Sequence, residues 1–198
     1  MKKWRELKMI QLLRGTGEGI ICNGYFFDGV IIDAPFGCRF PDAELMIITH
    51  PHCDHFYRAG LFKGKKAASL YGKGIINSKS KNCLCDYIGW DFPDVKIDRG
   101  LNNGEKIKTK NYCLEVIDTP GHCLGSICLY EPELKILFSG DTIFPDFNLP
   151  RTDLPTSDIN ALKKSCQILS KLEIETIYPG HGKKIKEKRY IEKILGII

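Results

Sequence analysis

The chain has 198 residues, of which 43% are hydrophobic and 27% charged, and its formal net charge is +5. This composition is typical of a globular protein and excludes a disordered or fibrous chain, and the length favours a single domain over residues 1–198. No apolar run approaches the roughly 20 residues that a membrane-spanning helix needs, so we expect no membrane partner.

Two further features bear on the cellular compartment. Residues 1–6 are basic, but charges interrupt the apolar stretch that a secretory signal peptide requires, so they predict a frayed end leading into a first strand. Nine cysteines at irregular spacing do not match a secreted disulfide scaffold, which favours a cytoplasmic protein. The close pair Cys83 and Cys85 has no second pair at zinc-knuckle spacing.

Short apolar runs rich in branched side chains predict a strand-rich chain. We predict strands in residues 20–27, 30–33, 45–49, 106–109, 112–117, 126–131, 135–138 and 174–178. Asp28-Gly29 marks a hairpin turn because glycine accepts a positive φ, and Pro132-Glu133 marks a second hairpin. Residues 45–49 are continuously apolar, as in a buried strand, and the run ends at His50.

Helical periodicity is clearest in the C-terminal third. Apolar side chains recur every three or four residues in 157–172, which predicts an amphipathic helix with Ser157 as its N-cap. A basic terminal helix follows the last strand, and its charges favour a solvated face over a nucleic-acid surface. A further short helix is predicted in residues 56–62, within a stretch of mixed loops and short elements. This order predicts layered sheets with helices outside.

The chain has only five histidines, and they cluster: His50, His52, His55, His122 and His181. Side chains two residues apart in an extended backbone share a side, so His50 and His52 are able to hold one metal ion together. Asp54 and His55 begin the turn beyond and reach a second position nearby.

Three more candidate ligands, His122, Asp141 and His181, each follow a predicted strand, and each is preceded by a glycine that permits a sharp turn. Together the candidates supply five imidazoles and two carboxylates, a donor set that suits zinc and also fits iron or manganese.

These residues carry a family resemblance. Four segments match the motifs of a known family: His50-Pro51-His52-Cys53-Asp54-His55, Thr119-Pro120-Gly121-His122, Ser139-Gly140-Asp141 and Tyr178-Pro179-Gly180-His181. In these segments the chain resembles the metallo-β-lactamase-fold hydrolase superfamily. The resemblance is to its small glyoxalase II-like branch, and it implies a four-layer αββα sandwich of the α/β (α+β) class. It also implies two zinc ions per chain, the first held by His50, His52 and His122, the second by Asp54, His55 and His181, with Asp141 bridging both.

The segment Pro150-Arg151-Thr152-Asp153 resembles the Gly-Arg-Thr-Asp stretch of that branch, which implies a substrate-binding role for Arg151, although Pro150 stands in place of the glycine. A full glyoxalase II carries a helical C-terminal region that binds glutathione. This chain ends at Ile198, soon after His181, so we expect the glutathione-binding part to be missing. We expect a small-molecule substrate, but the resemblance does not extend to glutathione thioesters.

The predicted function is hydrolysis of an ester, thioester or lactone by a metal-bridging hydroxide, with Asp54 placed to orient this nucleophile and to carry its proton. We expect residues 56–100 to form one wall of the substrate pocket, and we interpret Cys53 and Cys123 as packing residues.

Three alternatives stay open. One is a persulfide dioxygenase of the same fold, with a single iron on His50 or His52, His122 and Asp141. A nucleic-acid hydrolase is disfavoured because no basic and aromatic residues interleave. A non-catalytic binding domain is disfavoured because all seven candidate ligands are present.

Overall fold

Strand pairing joins the chain into two sheets. The computed structural model describes residues 10–16 and 21–198, and every structural statement below concerns these residues. The strands are β1 Ile10–Arg14, β2 Asn23–Phe27, β3 Val30–Ile32, β4 Leu45–Ile48, β5 Lys65–Ser69, β6 Arg99–Leu101, β7 Lys106–Lys108, β8 Cys113–Asp118, β9 Ile127–Glu131, β10 Ile136–Gly140 and β11 Thr176–Pro179. The helices are α1 Cys53–Phe56, α2 Leu70–Asn77, α3 Ile159–Leu169 and α4 Tyr190–Leu195, with short 3-10 turns at Ala59–Leu61, Lys81–Cys83, Asp86–Ile88 and Pro145–Phe147.

The first sheet has the order β1-β2-β3-β4-β5-β6 and the second has the order β11-β10-β9-β8-β7. Strands β1 to β3 form an antiparallel meander, whereas β3 to β6 run parallel. In the second sheet β7 to β10 are antiparallel and β11 pairs in parallel with β10. Both predicted hairpins are confirmed, and Asp28 and Gly29 adopt the positive φ that the first turn requires.

The two sheets face each other across an apolar core. Val30, Ile32 and Ile47 lie in this central core, while Ile31 and Met46 pack in a second core on the outer face of the first sheet. This division follows from the alternation of side chains along a strand. The helices α1 and α2 contribute to the outer core of the first sheet, and α3 and α4 cover the outer face of the second. The predicted αββα sandwich is therefore confirmed.

The predicted elements need three corrections. The first short helix is α1, which begins directly after His52, and residues 57–62 add only a 3-10 turn. The N-cap of α3 is Asp158 and not Ser157, because the Asp158 carboxylate accepts hydrogen bonds from Asn160 N and Ala161 N. The glycine-rich stretch that favoured mixed loops also contains the regular elements β5 and α2.

The candidate ligands gather where strands end. His50 follows β4, His122 follows β8, Asp141 follows β10 and His181 follows β11, so two sheets deliver their side chains to one edge of the sandwich. The basic residues 1–6 lie outside the described residues, and the strand predicted to follow them is β1. Among the described helices, none has the length and apolar character needed to cross a bilayer.

Candidate metal centre

The first four candidate ligands are positioned by a change from strand to helix. After β4 the backbone bends at Thr49 and His50 and is extended at His52, whose φ and ψ are −78° and 141°. Helix α1 then starts at Cys53, which turns Asp54 and His55 back toward the same edge. All four side chains are buried. A continuing strand would alternate them to opposite faces, so the early helix start is what brings the second pair to the first.

One group of ligand atoms consists of His50, His52 and His122. His52 Nδ1 lies 2.9 Å from His122 Nε2, and the ring centroids of His50 and His122 are 5.0 Å apart. One nitrogen from each of the three rings lies within 4.8 Å of the corresponding nitrogens of the other two. Since a zinc–nitrogen bond is about 2.0–2.1 Å long, these nitrogens are spaced for a shared ion.

A second group consists of Asp54, His55 and His181. His181 Nε2 lies 3.2 Å from Asp54 Oδ2 and 3.3 Å from His55 Nε2. His55 Nε2 is 3.5 Å from the same Asp54 oxygen. This set combines two imidazoles and a carboxylate, which are ordinary ligands of zinc and of iron.

Asp141 lies between the two groups. Its Oδ2 is 3.7 Å from His122 Nε2 and 3.4 Å from His181 Nε2, and its Oδ1 is 3.3 Å from His55 Nε2. One carboxylate therefore faces ligand atoms of both groups.

Asp33 supports the centre without facing it, and sequence reasoning assigned it no role. Its carboxylate accepts hydrogen bonds from His55 Nδ1 at 2.9 Å, Thr49 N at 2.7 Å and Thr49 Oγ1 at 2.8 Å. The contact fixes the proton of His55 on Nδ1 and leaves Nε2 for the centre. The signal in the sequence is an aspartate placed directly after the apolar strand Val30–Ile32.

Backbone carbonyls orient the rings of His122 and His181. His122 Nδ1 donates to the carbonyl of Arg151 at 3.0 Å, and His181 Nδ1 donates to the carbonyl of Ile21 at 3.1 Å. Ser157, the residue predicted as a helix cap, instead donates from Oγ to the carbonyl of His122 at 2.6 Å. In both rings Nε2 is thereby left free to face the centre.

Two of the glycines are required by close packing at the centre. A Cβ on Gly180 would overlap Asp141 Oδ1 and crowd the ring of His55. Gly140 has a φ of +47°, and a Cβ there would meet Thr49 Oγ1 at 2.5 Å. The expected close backbone approach is confirmed at both positions.

Burial and neighbouring charges shift the pKa values of the histidines in opposite directions. Burial and the neighbouring His55 lower the pKa of His50, and burial with the facing imidazoles lowers the pKa of His52 to about 3. Burial also opposes protonation of His181, but the Asp141 carboxylate outweighs it and raises that pKa to about 10. The pKa of His55 is raised in the same way. His50 and His52 therefore offer neutral rings, while His55 and His181 hold protons that a cation would displace.

The residues fit a bound cation. Two buried atoms at the centre have no hydrogen-bond partner within the described part of the chain: His50 Nε2 and Asp141 Oδ1. Buried polar atoms are rarely left unpaired, and such a concentration is expected where an ion normally supplies the partner.

A cleft of about 280 Å³ opens over the centre. Its floor includes His52, Asp54, His122, Asp141 and His181, and its walls include Leu84, Tyr87, Ile88, Phe144, Arg151 and Leu154. The prediction that residues 56–100 form one wall is confirmed. Cys123 is buried and Cys53 packs in the outer core of the first sheet while also touching the cleft.

Comparison with known proteins defines the class. The family model of the metallo-beta-lactamase superfamily matches residues 42–181, so the chain belongs to this superfamily of metallo-hydrolases. It is 44% identical to a probable metallo-hydrolase of Methanocaldococcus jannaschii, over 86% of this chain and 92% of that protein. It is 32% identical to the acyl-coenzyme A thioesterase MBLAC2 of Gallus gallus, over 87% of this chain and 71% of that protein.

Other relatives are longer. The chain is 32% identical to the hydroxyacylglutathione hydrolase of Bartonella tribocorum, over 69% of this chain and only 47% of that enzyme. It is 31% identical to an uncharacterized protein of Aquifex aeolicus, over 67% of this chain and 64% of that protein. Among solved structures, a metallo-beta-lactamase family protein of Thermus thermophilus superposes with a TM-score of 0.76 at 19% identity, over 97% of this chain and 80% of that one. A second structure, TTHA1623 in a di-iron-bound form, superposes with a TM-score of 0.71 at 22% identity, over 90% of this chain and 96% of that one.

Proposed function

We propose that the protein hydrolyses acyl thioesters or esters, including lactones, with two divalent metal ions, preferably zinc. The observation that carries the proposal is the joining of two ligand groups through Asp141 at the floor of a cleft with apolar walls. The names of two relatives, an acyl-coenzyme A thioesterase and a hydroxyacylglutathione hydrolase, support attack on an acyl carbonyl.

We assign the ligands as the sequence predicts. His50, His52 and His122 would hold one ion, Asp54, His55 and His181 would hold the other, and Asp141 would bind both. Two ions held in this way would lower the pKa of a coordinated water toward about 7 and would polarise a substrate carbonyl.

The chain's own residues supply the rest of the chemistry. Burial opposes ionisation of Asp54, but the adjacent His55 and His181 lower its pKa, so it is a carboxylate at neutral pH. Asp54 also lines the cleft, which places it to orient the attacking water and to accept its proton. The apolar walls would exclude other water from the acyl group.

Zinc is proposed on donor chemistry alone, and iron or manganese suits the same ligands. The di-iron form of TTHA1623 makes metal analysis part of the test. All nine cysteines are free thiols, which supports our proposal of a reducing, cytoplasmic environment.

The test is a substrate panel on protein whose metal content has been measured after expression without added zinc. The panel spans thioesters, esters, lactones, β-lactams, phosphodiesters and persulfides. We expect about two ions per chain and acyl hydrolysis that chelation abolishes and added metal restores. Oxygen uptake with a persulfide, or cleavage of a phosphodiester alone, would assign the protein to one of the alternative reactions.

Two variants sharpen this test. His52→Ala and Asp54→Ala should each lower kcat/KM by roughly 10³-fold, the upper end of the cost of losing one transition-state hydrogen bond. Leu61→Ala is the control, since that side chain is 61% exposed and lies outside the cleft. Full activity in both site variants would overturn the proposal.

A further inference from the structure

A side-chain bridge crosses the mouth of the cleft. Tyr87 lies in the 3-10 turn Asp86–Ile88, which packs beside the outer core of the first sheet, and Arg151 lies in the loop that follows β10 of the second sheet. Arg151 Nη1 donates to the Tyr87 hydroxyl at 3.0 Å, and the guanidinium carbon lies 5.6 Å from the centroid of the Tyr87 ring. The two sides of the sandwich are therefore joined above the proposed metal centre.

The charge of Arg151 is already paired. Its Nε donates to Asp153 Oδ1 at 2.9 Å and its Nη2 donates to Asp153 Oδ2 at 2.7 Å. This bidentate pair fixes the plane of the guanidinium and leaves Nη1 directed at Tyr87. Arg151 in this arrangement positions the Tyr87 ring and is not a free cation at the cleft.

The wall next to Tyr87 is built by the Cys83-Leu84-Cys85 motif. Cys83 and Cys85 are buried in the outer core of the first sheet, whereas Leu84 between them lines the cleft. Leu84 has a φ of +60°, a left-handed backbone that is uncommon for a branched aliphatic residue. Such strain persists only where the surroundings enforce it, and here the two buried thiols anchor the turn that presents Leu84.

We infer that this cleft receives a short acyl chain, and that the Tyr87–Arg151 bridge limits its length. The inference rests on the proposed function and names its substrate class. A volume of about 280 Å³ lies just below the roughly 300–1,000 Å³ of typical ligand pockets, so the cleft suits a short chain. The side chains of Leu84, Ile88 and Leu154 give this chain an apolar wall to pack against.

The test measures kcat/KM for thioesters of one small thiol with straight acyl chains of increasing length, from acetyl to dodecanoyl. For the wild type we expect a rise of about fourfold per methylene until the cleft is filled, because each buried methylene contributes a nearly constant free energy. The value should then fall at least about tenfold by the dodecanoyl substrate. Tyr87→Ala should raise the ratio of dodecanoyl to hexanoyl activity by at least about tenfold, and Tyr87→Phe, which keeps the ring, should raise it less.

Leu61→Ala is the matched control, because it removes an exposed apolar side chain outside the cleft and should leave the length profile unchanged. Calorimetric binding of straight-chain carboxylates to the metal-loaded proteins gives a second readout that needs no turnover. If the wild type hydrolyses acyl substrates but Tyr87→Ala keeps its length profile in both assays, the inference is wrong and the proposed function stands. If no acyl substrate is hydrolysed, the proposed function fails, and the carboxylate series still decides whether Tyr87 limits chain length.

Discussion

The proposed metal centre and the wall of the cleft above it are held by different means. At the centre, His122 and His181 are fixed by backbone carbonyls and His55 by a buried carboxylate. At the wall, Tyr87 is 63% exposed and is held by contacts between side chains. A contact to a main-chain carbonyl survives a change in the side chain of that residue, whereas a contact between two side chains is lost when either is replaced. We therefore expect the reaction to be set by the sandwich itself and the substrate range to be set by the wall.

The strongest prediction concerns the packing of the centre. Gly180→Ala should remove bound metal and lower kcat/KM by at least about 10²-fold, because the new methyl group would occupy the position of Asp141 Oδ1. Metal content and steady-state kinetics on the folded variant are the measurements.

The matched control for this variant is Gly74→Ala, since a Cβ at Gly74 in helix α2 meets no atom within 4 Å. Alanine there should leave activity unchanged and raise the free energy of unfolding by about 0.5–1 kcal/mol. Equal metal content in both variants would show that the centre tolerates backbone displacement, contrary to the comparison above.

Asp33→Asn tests the buried carboxylate that holds His55. The variant keeps the shape of the side chain but loses the charge and one acceptor, so metal affinity or kcat/KM should fall about 10–100-fold. Competition with a chromogenic chelator measures the affinity. The exposed Asp42→Asn is the control, and a wild-type affinity in Asp33→Asn would remove Asp33 from the support of the centre.

The metal-free protein should be most stable near pH 6.5. The pKa of His52 is lowered to about 3, so the unfolded chain binds more protons than the folded one between about 6.5 and 3, and stability falls as the pH drops through that window. The pKa of His181 is raised to about 10, so its contribution is complete below about 6.5 and is lost as the pH rises toward 10. Thermal unfolding of chelated protein across this range measures both slopes, and a melting temperature that climbs steadily with pH would contradict the assignment.

The smallest effect is expected at the wall. Arg151→Ala should leave metal content unchanged, because His122 is held by the main-chain carbonyl of residue 151 and not by its side chain. We expect at most about a tenfold change in kcat/KM for short acyl substrates, since only rim contacts of an exposed side chain are removed. Loss of metal in this variant would mean that wall and centre are coupled, and the division between them would have to be abandoned.

Much of this protein was determined by local sequence. The hairpin around Asp28-Gly29 and the buried strand before His50 follow from turn chemistry and apolar patterning, which act over a few residues. The glycine before His181 likewise indicated a close backbone approach, since no other residue leaves the space. These patterns were enough to predict the layered sandwich and the gathering of the candidate ligands at strand ends.

Other features were decided only by tertiary structure. Asp33 and Ser157 contact residues that lie 22 and 35 positions away in the chain. An aspartate directly after an apolar strand is a signal in the sequence, but the sequence does not give the partner of either side chain. The stretch around Leu84 has no clear helix or strand periodicity. Its turns are fixed by buried cysteines and by the contact of Tyr87 with Arg151, in the loop that follows β10 of the second sheet. The sequence alone thus determined which side chains are candidate metal ligands. The packing of the two sheets decided which neighbouring groups orient those side chains and how large the cleft is.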